Sequence, residues 1–99
     1  MKFDFTDAKL LDDSGMPIMA DGKPMLLKDI IRQNLLFCKN PQRPAIKCLD
    51  LAIKFRDNDI VELDTTDREL VLAVCAETEV ARLTEARIEQ ALDEKKALP

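Results

Sequence analysis

Asp64-Thr65-Thr66-Asp67-Arg68-Glu69, followed without interruption by Leu70-Val71-Leu72-Ala73-Val74-Cys75-Ala76, reads as the start and body of an α-helix. Thr66 offers a hydroxyl oxygen to the free N–H groups of the first turn, and Glu69, three residues on, can reach back to the Thr66 N–H. Asp67 adds negative charge at the positive end of the helix dipole. The apolar run is apolar on every side, as in a helix that enters a core instead of lying on a surface. Working outward from it, the expected fold class is mainly α: a three- to four-helix domain with a short N-terminal β-hairpin.

Ninety-nine residues suit one domain, 1–99, with residues 1–25 as a strand and hairpin region and 26–96 as a helical core. With 46% apolar and 34% charged residues the composition is that of an ordinary globular chain. Four Phe and no Trp or Tyr make the expected core aliphatic. No apolar run approaches the roughly 18 residues that span a bilayer. Lys2 and Asp4 come too early for a secretion signal, so a cytoplasmic setting is expected and no membrane contact.

The chain has no histidine, which removes Ser-His-Asp triads, Cys-His pairs and imidazole proton shuttles. Its single serine, Ser14, lies in a turn signal, and Gly15 and Gly22 are isolated, so no phosphate-cradling loop is available. Cys38, Cys48 and Cys75 are odd in number and widely spaced, each among apolar neighbours in an expected helix, which predicts buried free thiols. No catalytic residue, cofactor or metal site is expected, and the chain is read as a non-enzyme.

Phe3 and Phe5 alternate with Lys2 and Asp4, placing both rings on one face of a short strand. Asp21-Gly22, between Met16–Ala20 and Lys23–Leu26, is the pair favoured in a two-residue hairpin turn. Pro17 and Pro24 keep that hairpin short. Helix one is expected from Met25 or Leu26 to Cys38, opening after Pro24, and Asn40-Pro41-Gln42-Arg43-Pro44 ends it. Helix two runs from about Pro44 to Arg56. Its polar stripe of Lys47, Asp50, Lys54 and Asp57 is narrow, which makes it the expected central helix. Ile60-Val61-Glu62-Leu63 reads as a brief strand or as the lead-in to the cap. Helix three covers Asp67 to Glu77 and helix four Thr84 to Lys95, with a break between them favoured over one long helix. The expected interior is Leu27, Ile30, Ile31, Leu35, Leu49, Ile53, Phe55, Leu70, Val74, Ile88 and Leu92.

Charge is segregated along the chain. From Lys23 to Arg56 there are eight basic residues against two acidic, and from Asp57 onward twelve acidic against five basic. Three readings follow: solvated faces whose fields compensate within one domain, a basic face that docks on the acidic face of another copy, or phosphate contacts to DNA. The candidate interaction face is Lys28, Arg32, Lys39, Arg43, Lys47 and Lys54. A sequence pI near 4.8 disfavours nucleic acid. Asp57, Asp59, Glu62 and Asp64 lack the central Gly of a calcium loop and are read as turn and cap residues. Glu85, Glu89, Asp93 and Glu94, with Arg82 and Arg87 among them, are read as surface pairs on helix four.

The order of these segments resembles a known group. Phe3 and Phe5, the Asp12-x-x-Gly15 and Asp21-Gly22 turns, the helix opening at Pro24-Met25-Leu26, the Lys- and Arg-bearing middle helix and Val61-Glu62-Leu63 before a capped helix together resemble small proteins of tailed bacteriophages and prophages. Thr78 to Leu83 departs from that layout, being charged where a Pro-containing connection would be natural. The resemblance implies a phage or prophage setting, often beside structural genes, and supplies no site residues. The function expected is a non-enzymatic interaction or assembly protein acting through protein–protein contacts, a homo-oligomer among them. A small DNA-binding regulator is the alternative.

Overall fold

A computed structural model of the chain describes residues 1–78 and 80–99. Its elements, in order, are β1 (Lys2–Asp4), β2 (Met19–Ala20), β3 (Lys23–Pro24), α1 (Leu27–Leu36), α2 (Ala45–Asp57), β4 (Ile60–Glu62), α3 (Thr65–Glu77), α4 (Arg82–Ala91) and a 3-10 turn at Glu94–Lys96. The fold is mainly α with small antiparallel strand pairs. β2 and β3 form the hairpin across Asp21-Gly22, both at positive φ (52° and 77°), which the two-residue turn requires. Pro24 belongs to β3 and does not open α1, which begins three residues later.

The second strand pair joins distant parts of the chain. β1 pairs antiparallel with β4 in the register Lys2↔Glu62, Phe3↔Val61 and Asp4↔Ile60. The ladder extends at both ends, through Leu63 N–H to Met1 C=O at 2.7 Å and Phe5 N–H to Asp59 C=O at 2.7 Å. Leu98 N–H donates to Lys2 C=O on the other edge of β1. Ile60-Val61-Glu62 is therefore a strand, and its β-branched residues fit that pleated position. Alternation then places Phe3, Phe5, Val61 and Leu63 inward, each at most 2% exposed. The Phe5 ring meets Phe55 of α2 edge-on, with centroids 5.4 Å apart and planes at 75°.

Most of the expected interior is buried: Leu27, Ile31, Leu35, Phe55, Val74, Ile88 and Leu92, with Ile30 and Leu70 partly buried against them. Leu49 and Ile53 are corrections, for they lie on the outside of α2. This helix buries Cys48, Leu51, Ala52 and Phe55 along one side only. Four short helices in 99 residues cannot surround one of their number, so an all-round apolar sequence leaves part of itself in water.

The cap of α3 also differs from its expected form. Asp64 is the capping residue, its carboxylate accepting from Asp67 N–H at 2.7 Å, and Thr66 is already inside the first turn. Ser, Thr and Asp all serve as caps, so Asp64-Thr65-Thr66 left the frame ambiguous by two residues. α3 ends where Thr78 turns extended (φ −78°, ψ 148°), and α4 opens after an extended Ala81. The favoured break is thus present, although Glu79 within that stretch lies outside the described residues. Two arginines hold α4 in place. Arg68 of α3 donates from Nε to Leu92 C=O at 2.6 Å, and Arg87 of α4 donates from Nε to Leu11 C=O at 3.0 Å and also to Asp12 C=O.

Loss of the cap in Asp64→Ala is expected to lower stability by about 1 kcal/mol, against less than about 0.5 kcal/mol for Thr66→Ala. Urea titrations of the two variants separate the frames; a larger loss for Thr66→Ala than for Asp64→Ala would return the cap to Thr66.

Candidate interaction surface

The six candidate basic residues do not stand together as one free field. Lys28, in the first turn of α1, places Nζ 2.7 Å from Asp59 Oδ1. Arg43, in the loop between α1 and α2, clasps Glu77 at the end of α3, its Nε 3.1 Å from each carboxylate oxygen and its Nη2 on Oε1. Asn40 Nδ2 donates to the same carboxylate at 3.2 Å. Lys54 donates from Nζ to Glu62 C=O at 3.1 Å. Arg32 is half-buried and Lys39 exposed, and neither has an ion-pair partner among the described residues.

Lys47 makes the pair with the most buried acid. Its Nζ lies 2.9 Å from Asp67 Oδ1, with the Lys47 side chain 45% exposed and that of Asp67 only 6%. The two residues occupy the first turns of α2 and α3, so the N-termini of these helices meet across the pair. A lysine in a first turn opposes the helix dipole, whereas Asp67 is favoured there. The carboxylate thus serves both termini, and the hydrogen bond from Lys47 to it raises the lysine pKa above its ordinary value. Lys28, Arg43, Lys47 and Lys54 all spend their charge on the second half of the same chain.

A different surface is left open. Ile46, Leu49 and Ile53 are 78%, 50% and 38% exposed, and their spacing places them on one side of α2. Asp50, Lys54 and Asp57 border them. Each fully buried side chain of this kind contributes ~1.5–3 kcal/mol, much of which is forgone while these three face water. Phe37, just past the end of α1, is exposed as well. The sequence did carry this signal: α2 is apolar beyond what one neighbouring layer can cover. An all-round apolar helix usually means burial, which is why sequence alone points the other way.

Among the described residues, the carboxyl groups whose pKa moves, Asp4, Asp12, Asp57 and Glu77, all move down. Asp4 and Asp12 accept side-chain and backbone hydrogen bonds from nearby turn residues, Asp57 pairs with Arg56, and Glu77 is held by Arg43 and then Asn40. That is the direction of fixed, ionised acceptors, opposite to that of a general acid poised near neutrality. A cleft of about 490 Å³ between the N-terminal loop and α4 includes Asp4, Asp7, Lys9 and Arg87, but Arg87 is committed to the Leu11 and Asp12 carbonyls there.

Lys47→Glu sets a second carboxylate against the buried Asp67 and should lower the melting temperature by several degrees, whereas Lys39→Glu should barely move it. Thermal unfolding followed by circular dichroism checks both. Glu77 has a folded-state pKa below its ordinary 4.5, so its contribution is complete above that pH and is lost as pH falls through the folded value. Glu77→Gln is accordingly expected to flatten the acid side of the stability–pH profile; an unchanged acid limb would show that the Arg43 clasp adds nothing. No family model matches this chain, and neither a curated protein nor a solved structure matches it.

Proposed function

We propose that this protein is a non-enzymatic interaction protein, of the phage or prophage assembly type its sequence layout resembles, which acts through protein–protein contacts in the cytoplasm. The observation that carries the reading is the uncovered apolar side of α2, Ile46, Leu49 and Ile53, on a helix whose opposite side is locked into the core. Scattered exposed hydrophobics are ordinary, but three large aliphatic residues aligned on one rigid helix form a contact stripe. The internal pairing of Lys28, Arg43 and Lys47 supports apolar contact over charge as the source of affinity, and it weakens the case for DNA. No described helix is long and apolar enough to cross a membrane. The partner is a protein that offers an apolar face of its own, and a second copy of this chain meets that description.

Light scattering on a sizing column, from low to high protein concentration, tests self-association first. A discrete oligomer that Leu49→Glu returns to monomer, with unchanged melting, is the expected result for a homomeric partner. A photo-crosslinker at position 49, compared with one at the exposed Glu89 of α4, extends the test to other proteins in cells that carry the gene in its native neighbourhood. Adducts of defined mass from position 49 alone support the reading. A strict monomer with no adduct specific to position 49 removes it.

A further inference from the structure

The sequence treats the three cysteines alike, but the structure does not. Cys75 is buried in α3, where Asn34 Nδ2 donates to its Sγ at 3.4 Å, and burial pushes its thiol up to about 11. Such a thiol is inert at neutral pH. Cys38 lies beyond the end of α1, contrary to its expected place inside a helix, and it is only partly buried. Cys48, in the opening turns of α2, is 5% exposed. The two line one cleft of about 280 Å³ with Leu35, Asn40, Pro41 and Arg43.

We propose that Cys38 and Cys48 are a thiol pair oxidised by hydroperoxides, with Cys38 meeting the oxidant and Cys48 closing an intramolecular disulfide. The roles follow from access, because Cys38 is partly exposed whereas Cys48 is buried. Arg43 lines the same cleft. Its guanidinium, raised in pKa chiefly by the Glu77 hydrogen bond, also interacts with the charges of both sulfurs. Burial, and then a charge on Cys38, push the Cys48 thiol up, while Arg43 pulls it back. Exchange and oxidation proceed through the thiolate, and the cleft brings both thiols to one opening.

The steps balance. The Cys38 sulfur attacks one peroxide oxygen, the O–O bond breaks, and the departing hydroxide takes a proton to leave as water. Cys38 is then a sulfenic acid. The Cys48 sulfur attacks the Cys38 sulfur, the S–O bond breaks, and the hydroxyl leaves as water with the Cys48 proton. Two thiols lose two electrons in total, and one hydrogen peroxide becomes two waters. The product ties the exit of α1 to the first turns of α2, across the loop whose Arg43 holds α3.

The test uses the reduced native protein, equimolar hydrogen peroxide, alkylation of the remaining thiols and tryptic mass spectrometry. Trypsin cuts after Arg32, Lys39, Lys47 and Lys54, so the three cysteines fall on separate peptides. The expected product joins residues 33–39 to 48–54, two hydrogens lighter than their sum, with Cys75 fully alkylated. Its yield should not depend on protein concentration, and its selectivity over Cys75 should vanish in concentrated guanidinium. In Cys48→Ala, Cys38 should remain as a sulfenic acid that dimedone traps, which wild-type protein should not show. Cys38 passing to sulfinic acid while Cys48 stays alkylatable would overturn the proposal, as would a Cys38–Cys38 link between chains as the main product.

Discussion

The pairing of β1 with β4 is the constraint on which the other elements depend. Only three residues on each strand take part, yet they lie almost sixty positions apart in the chain. Their alternation turns two Phe rings inward from one strand and Val61 and Leu63 from the other. Phe5 reaches Phe55 and so sets the buried side of α2. Leu63, fixed by its bond to Met1, delivers the chain to the Asp64 cap, from which α3 starts in the right direction. A two-stranded ladder is marginal by itself. Here the packed rings hold the ladder and the ladder aims the rings, so neither is separable from the core.

Electrostatics complete that arrangement at its edges. The basic middle of the chain meets the acidic second half inside the same molecule, at Asp59, Asp67 and Glu77. Exposed pairs of this type contribute little each. The Lys47–Asp67 pair is different, since its carboxylate is enclosed, and removing the partner from a buried charge is costly. The charge segregation visible along the sequence is therefore largely a record of which segments touch. What it leaves unsatisfied is apolar: the outer side of α2.

Local signals were legible in the sequence because local chemistry produces them. Asp21-Gly22 specified its turn, Phe3 and Phe5 their shared face, and the absence of histidine the chemistries left out. The break after α3 was legible from the mismatch of Val80, Leu83 and Ile88 with the Leu70 and Val74 stripe. Other features depend on which distant segments meet, and no local pattern encodes that. Ile60-Val61-Glu62 could not be told from a lead-in without its partner strand. Leu49 and Ile53 have the same residue types as core positions, and only the count of covering layers separates them. At the candidate site the basic residues are legible individually but their acidic partners are not, because contacts such as Lys28–Asp59 and Arg43–Glu77 cross more than thirty residues.

One small contact bears on how this molecule behaves at high concentration. In the β1–β4 register, Ile60 and Glu62 turn their backbone groups away from β1, toward a side where no further strand is paired among the described residues. An open edge of that sort is a template on which another chain can add a strand, and a β-branched sequence invites it. Lys54 reaches over from α2 and places its ammonium on the Glu62 carbonyl. A charged, hydrated group at that acceptor makes strand addition there unfavourable. The outer side of α2 can thus stay bare in water while the β-edge is guarded against fibrous growth, with one lysine from that same helix as the guard.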